Sequence, residues 1–165
     1  MTRKKVALFG CGNFGRVHAN DLANLGVLAG IIDTDSSKKE IADKYGVPFF
    51  DIDLTQYVID FTYGRDGGAR DVKVVKNLSE ARKLEKIMYE DLKVGASFDA
   101  PNEDYYYWRY SRAREICRKF ENGELRDIPE KLNELLNKTD AIDIATNTPS
   151  HFPLMLIGLW NGKDI

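Results

Sequence analysis

The chain has 165 residues, of which 43% are apolar, 30% charged and 11% aromatic. That composition supplies a buried core and excludes wholesale disorder. The balance of 24 basic against 26 acidic residues argues against a protein built mainly to coat a phosphate backbone, so nucleic acid is not an expected partner. Two cysteines, Cys11 and Cys117, and two histidines give neither a disulfide framework nor a histidine-rich metal site, and they point to a reducing, cytoplasmic setting. No run approaches the ~20 apolar residues of a bilayer span, and Val6–Phe9 is too short for a signal-peptide core.

Residues 5–9 form a compact apolar run between basic residues and glycines, which predicts a strand buried on both faces. Residues 15–25 follow, with Val17, Leu22 and Leu25 at helical spacing. Val27 to Ile32 is a second buried strand, ending in Asp33. Ser36 opens a helix whose inner face is Ile41, Ala42 and Tyr45, and Gly46 stops it. Val47 to Phe50 is a third strand. Strand, helix, strand, helix, strand within about 50 residues predicts a parallel sheet.

The period then changes. Residues 56–62 alternate, with Tyr57, Ile59 and Phe61 on one side, as a half-exposed antiparallel strand does. Gly64 to Gly68 reads as a turn and Val72 to Val75 as a strand. Asn77 caps a helix with Glu80 three residues on, and Ala81, Leu84, Met88 and Leu92 share its face. Leu92 to Phe98 reads as a third strand of this region, and Pro101 to Asp104 as a break. A helix over 104–121 carries Tyr106, Tyr110, Ala113, Cys117 and Phe120 on one stripe and ends at Asn122-Gly123. Asp127, with Glu130 as its capping-box partner, starts the next helix, faced by Leu132, Leu135 and Leu136. A fourth strand follows at Ala141 to Ala145, then a helix over 149–160 and the start of a fifth strand at Gly162. The expected fold is a discontinuous, doubly wound α/β domain of residues 1–53 and 127–165, with an α+β unit of residues 54–126 inserted in it.

One motif carries chemistry. Gly10-Cys11-Gly12-Asn13-Phe14-Gly15 has the G-x-G-x-x-G pattern in its required context, after a strand and before a helix. The first glycine permits the tight turn, the second lets backbone approach a pyrophosphate, and the third allows close helix–strand packing. The helix N-terminus then offers free amides and a positive dipole end. Asp33 lies 18 residues beyond Gly15, where a carboxylate accepts hydrogen bonds from ribose hydroxyls. That acid would repel a 2′-phosphate, which favours NAD over NADP. Ser36, Ser37, Lys38 and Lys39 follow, either as a phosphate site that would weaken this preference or as a solvated helix face.

These residues resemble the N-terminal half of the glucose–fructose oxidoreductase/inositol dehydrogenase (Gfo/Idh/MocA) family. The resemblance spans 5–53 and 127–165. It takes in Val6 to Gly15, His18, Ala19, Leu22, Asp33 and Tyr45-Gly46-Val47-Pro48, and the run from Asp140 to His151 containing Thr148-Pro149. It implies a Rossmann-like NAD(P)-binding domain of the oxidoreductase type, with Thr146, Asn147, Thr148, Pro149 and His151 beside the cofactor and a sugar-like or polyol substrate. His151 admits two roles, a proton-transfer group or a helix residue against the cofactor's edge; His18 reads as a packing residue and Cys11 as a small filler of the glycine turn. The family's catalytic lysine falls in a Glu-Lys-Pro turn after the fifth strand, beyond Ile165, and its substrate domain is not in this sequence. Catalytic residues are therefore unassigned. Tyr63, Arg65 and Asp66 are only remote substitutes, and a non-catalytic dinucleotide-binding or interaction module stands as the alternative. The aromatic and arginine-rich stretch 105–119 reads either as a packed helix with solvated arginines or as a surface for nucleic-acid bases. The open sheet edge or the insertion is expected to pair with a second copy or a partner protein.

Overall fold

The computed structural model describes residues 4–61, 71–97 and 103–165. The turn read at Gly64–Gly68, the residues Tyr63, Arg65 and Asp66, and Phe98, Pro101 and Asn102 lie outside the described residues. The chain has an α/β fold divided into two compact units, Met1–Thr55 with Pro129–Ile165, and Gln56–Ile128. No helix among the described residues is long and apolar enough to cross a membrane.

The first unit is built on four parallel strands, β1 (Val6–Phe9), β2 (Leu28–Asp33), β3 (Phe49–Asp51) and β6 (Ala141–Ile144), in the order β3-β2-β1-β6. The register sets Phe9 opposite Ile32 and Ile144. Continuous apolar runs suit strands covered on both faces, and Leu8, Ile31 and Ile142 are accordingly buried. The expected fifth strand amounts to one parallel bridge between Ala141 and Asp164, in which the Ile142 amide donates to the Asp164 carbonyl at 2.8 Å.

Helix α1 (Asn13–Asn24) buries Gly15 and Ala19, and of the three residues expected to face inward only Leu22 packs against the core. Val17 is 57% and Leu25 63% exposed. The reason is proximity: a Cβ on Gly15 would stand 2.9 Å from the Gly10 carbonyl carbon and closer still to its oxygen. A helix that close to the strand turn leaves room only for small side chains. Ahead of α2 (Lys39–Tyr45), the 3-10 turn Ser36–Lys38 is capped by Asp35, whose side chain accepts from the Ser37 amide at 2.9 Å. Gly46 ends α2 at φ 64°, in the left-handed conformation.

Helix α5 (Glu130–Lys138) has Pro129 at its N-cap. The expected Asp127 cap is not made there; Asp127 Oδ1 accepts from the Leu78 amide at 3.1 Å, at the start of α3 (Leu78–Ser97). The Pro129 side chain carries no acceptor for the first-turn amides, so α5 starts without a side-chain cap. Leu132 and Leu136 are buried, and Leu135 lies over β2, where a Cβ on Gly30 would be 2.6 Å from Leu135 Cδ2. Helix α6 (Thr148–Trp160) follows β6.

The second unit pairs β4 (Val58–Asp60) antiparallel with β5 (Val72–Val74). Tyr57, Ile59 and Phe61 are all buried. Helix α3 runs through Ser97, so the strand expected from Leu92 is absent and those residues continue the helix. Gly95, read as a strand glycine, is instead a helix glycine under an aromatic ring: a Cβ there would be 2.8 Å from Tyr106 Cε2. Helix α4 (Glu103–Glu121) packs antiparallel to α3. Gly95 meets Tyr106, the Tyr89 and Tyr110 rings lie 5.6 Å apart, and Glu85 and Glu121 accept from Arg114 and Arg82 at 2.7 and 3.5 Å. The partner numbers rise along one helix as they fall along the other. Ala113, Ile116, Cys117 and Phe120 form the buried stripe of α4.

Candidate functional site

The order of the strands decides where a crevice opens. The chain proceeds from β1 to β2 to β3 in one direction, then comes back on the other side of β1 as β6. Loops leaving the carboxyl ends of β1 and β6 diverge, and ligands of open parallel sheets lie in the gap that results. A cleft of about 380 Å³ occupies that place. Its wall includes Phe9, Gly10 and Gly12 after β1, Ile32, Asp33 and Thr34 at the end of β2, and Ile52 to Thr55 after β3. Ala145 to Asn147 after β6, with Ser150 and Leu154 of α6, complete it. The volume falls in the range of small-molecule sites.

The glycine turn is shaped by its neighbours at two positions and by none at the third. Gly10 has φ +87°, and a Cβ there would stand 2.6 Å from Thr146 Cγ2. Gly15 admits no side chain beneath the Gly10 carbonyl. Gly12 has φ −68°, which any residue adopts, and nothing lies within 4 Å of where its Cβ would be. Fold geometry explains the first and third glycines; the second faces the cleft.

Asp33 is fixed from both sides. Its Oδ2 accepts from the Cys11 amide at 2.5 Å and its Oδ1 from the Asp35 amide at 2.9 Å. Each carboxylate oxygen retains acceptor capacity beyond one bond, so the group can still receive hydroxyl donors in the cleft. Two helices start at the same place. Gly12, which has no side chain to cap with, is the N-cap of α1, Asn147 is that of α6 without a side-chain bond to its first amides, and both residues line the cleft. The first-turn amides and the positive dipole ends of both helices favour an anion.

Of the residues singled out from the sequence, Gly10, Gly12, Asp33, Thr146 and Asn147 come together on the cleft wall. Asn13, Phe14 and Gly15 form the first turn of α1 behind it, with Phe14 79% exposed and Gly15 buried. Thr148 and Pro149 occupy the first turn of α6. His151 lies on a separate groove with Asp143, Ile144 and Met155, and its Nε2–H donates to the Thr146 carbonyl at 2.8 Å. A carbonyl only accepts, so that bond puts the proton on Nε2. His18 Nδ1 meets Asp143 Oδ2 at 2.8 Å. Cys11 is buried in the core with Leu8, Ala19 and Ile31, and burial, followed by the Asp33 charge, pushes its thiol above the usual range. Lys38 pairs with Asp35 at 2.8 Å and Lys39 with Asp43 at 2.6 Å.

Thr34, Ile52, Asp53, Thr55, Ser150 and Leu154 also line the cleft and had not been singled out. Asp53 carried a signal: Asp53-Leu54-Thr55 is a side-chain-capped turn, in which Oδ1 accepts from the Thr55 amide at 3.0 Å and its hydroxyl at 2.6 Å.

In the other unit, three of the four arginines of 105–119 meet carboxylates. Arg109 pairs with Asp71 and lies over the Phe61 and Tyr105 rings, Arg112 pairs with Glu115, and Arg114 with Glu85. Among the described residues no cluster of His, Cys, Asp or Glu is arranged to hold a metal ion. No family model, no curated protein and no solved structure matches this chain.

Proposed function

We propose that residues 1–55 and 129–165 form a Rossmann-like dinucleotide-binding domain whose ligand is NAD, and that the chain is an NAD-binding protein of the oxidoreductase type. One observation carries the reading: Gly12 stands at the helix N-terminus, in the cleft, with no neighbour to account for its missing side chain. A pyrophosphate approaching the first-turn amides of α1 would account for it. Asp33, held rigid by two backbone amides, is the acceptor for ribose hydroxyls, and the Ala145–Asn147 loop borders the nicotinamide end. NAD supplies hydride exchange when bound; the chain's own residues orient it. The resemblance to the Gfo/Idh/MocA family suggests a sugar-like or polyol substrate.

A second reading has its own support. The polar side chains on the cleft wall are two carboxylates, four hydroxyls and one amide, and Asp53 is already engaged by Thr55. Such groups bind hydroxyls and phosphates. A module that holds the dinucleotide without turning over a substrate fits that set, with residues 56–128 serving partner binding or self-association. Calorimetry with NAD tests the shared claim. Both readings require binding that Asp33→Ala weakens by about tenfold or more, and both fall if millimolar NAD gives neither heat nor a thermal shift. Turnover of polyols, followed as NADH absorbance, then separates enzyme from module.

A further inference from the structure

We infer that Asp35 sets the cofactor preference of this cleft, by holding Lys38 where it cannot receive a 2′-phosphate; the inference rests on the dinucleotide reading above. Asp33 and Asp35 are joined through the Asp35 amide, which donates to Asp33 Oδ1 at 2.9 Å, so a second acid follows two residues after the ribose acceptor. Lys38 is the cation that could offset the pair. Its side chain is only 20% exposed. It is already taken: Nζ is 2.8 Å from Asp35 Oδ2 and 3.3 Å from Ser37 Oγ. Lys38 and the Ser37 hydrogen bonds in turn hold the Asp35 carboxyl down at about 2, so the latch persists across the physiological range. The other nearby cations are also directed elsewhere. Lys39 sits on both oxygens of Asp43 at 2.6 Å, and Arg16 lies 3.8 Å from Glu40. A phosphate on the ribose would meet the Asp33 carboxylate, with Lys38, Lys39 and Arg16 each already beside an acid of its own.

The test is calorimetry with NAD and with NADP on the full chain, on Asp35→Asn and on Asp35→Asn/Lys38→Met. Asparagine keeps an oxygen for the Ser37 amide, so the capped turn survives while the charge goes; an unchanged Tm checks this. Wild type should bind NAD about tenfold or more tighter than NADP, and Asp35→Asn should tighten NADP about tenfold while leaving NAD within about twofold. The double variant should lose that gain. If Asp35→Asn does not fold, Lys38→Met decides, because unpairing Asp35 should weaken NADP further and leave NAD unchanged. The inference is overturned by NADP affinity that ignores Asp35, by a gain that survives loss of Lys38, or by a wild type that prefers NADP. Those outcomes leave the dinucleotide reading standing. A wild type that binds neither cofactor overturns that reading, and the latch with it.

Discussion

The two units differ in how their glycines are accounted for and in whether polar residues converge on open space. Among the described residues of 56–128, four ion pairs tie elements of that unit to one another: Arg109 with Asp71, Lys73 with Asp71, Arg114 with Glu85, Arg82 with Glu121. Its helix glycine, Gly95, is explained by the Tyr106 ring packed on it. In the parallel-sheet unit, Asp33, Thr146 and Asn147 converge on an open cleft, and Gly12 there has no packing partner. Internal compensation is what a structural element needs, and Gly12 amid convergent polar groups lacks it. On that contrast rests our proposal that the sheet unit binds and the helical pair packs.

Substitutions at the glycines are the sharpest way to break that contrast. The largest effect is expected at Gly15, where an added methyl meets backbone that cannot move aside; Gly15→Ala should cost about 3 kcal/mol in urea unfolding. Gly95→Ala should cost less, about 1–2 kcal/mol, since better helix propensity partly offsets the clash with Tyr106. In a Tyr106→Ala background the same change should turn stabilising, and a cost that persists there would refute the ring contact as its cause. Cys117 gives a smaller, pH-dependent effect in the helical pair. Burial first, then hydrogen bonding and charge from Glu85, push its thiol from its ordinary 9 to about 11. The folded state thus favours the neutral thiol, so this contribution is complete below pH 9 and is lost as pH rises toward 11. Thermal unfolding of wild type and Cys117→Ala across that window should diverge, with the variant losing less. Gly12→Ala should change stability least, within about 0.5 kcal/mol.

The sheet was legible because its strands are short, mostly apolar runs separated by helical periods, and the glycine turn because three glycines and Asp33 keep a fixed spacing. What escaped was set by packing between distant residues. Val17 and Leu25 have helical spacing, yet the close approach at Gly15 turns α1 so that Ala19 faces inward. Gly95 and the β-branched Val94 imitate a strand in a segment that packing on Tyr106 keeps helical. Asp127 has the spacing of a helix cap, but its carboxylate serves the Leu78 amide, 49 positions away in the chain. At the site, the carboxyl-end residues of β1, β2 and β6 could be read from the motif and the resemblance. The contribution after β3, from Ile52 to Thr55, depends on where that strand's end lies in the sheet, which no local pattern encodes.

Calorimetric titration of NAD into wild type and Gly12→Ala, with Tm measured on both, probes the account where it is most exposed. Wild type should bind, and the variant should bind at least about tenfold more weakly at an unchanged Tm. Equal affinity in the two proteins, or no binding to wild type at millimolar NAD, would contradict it.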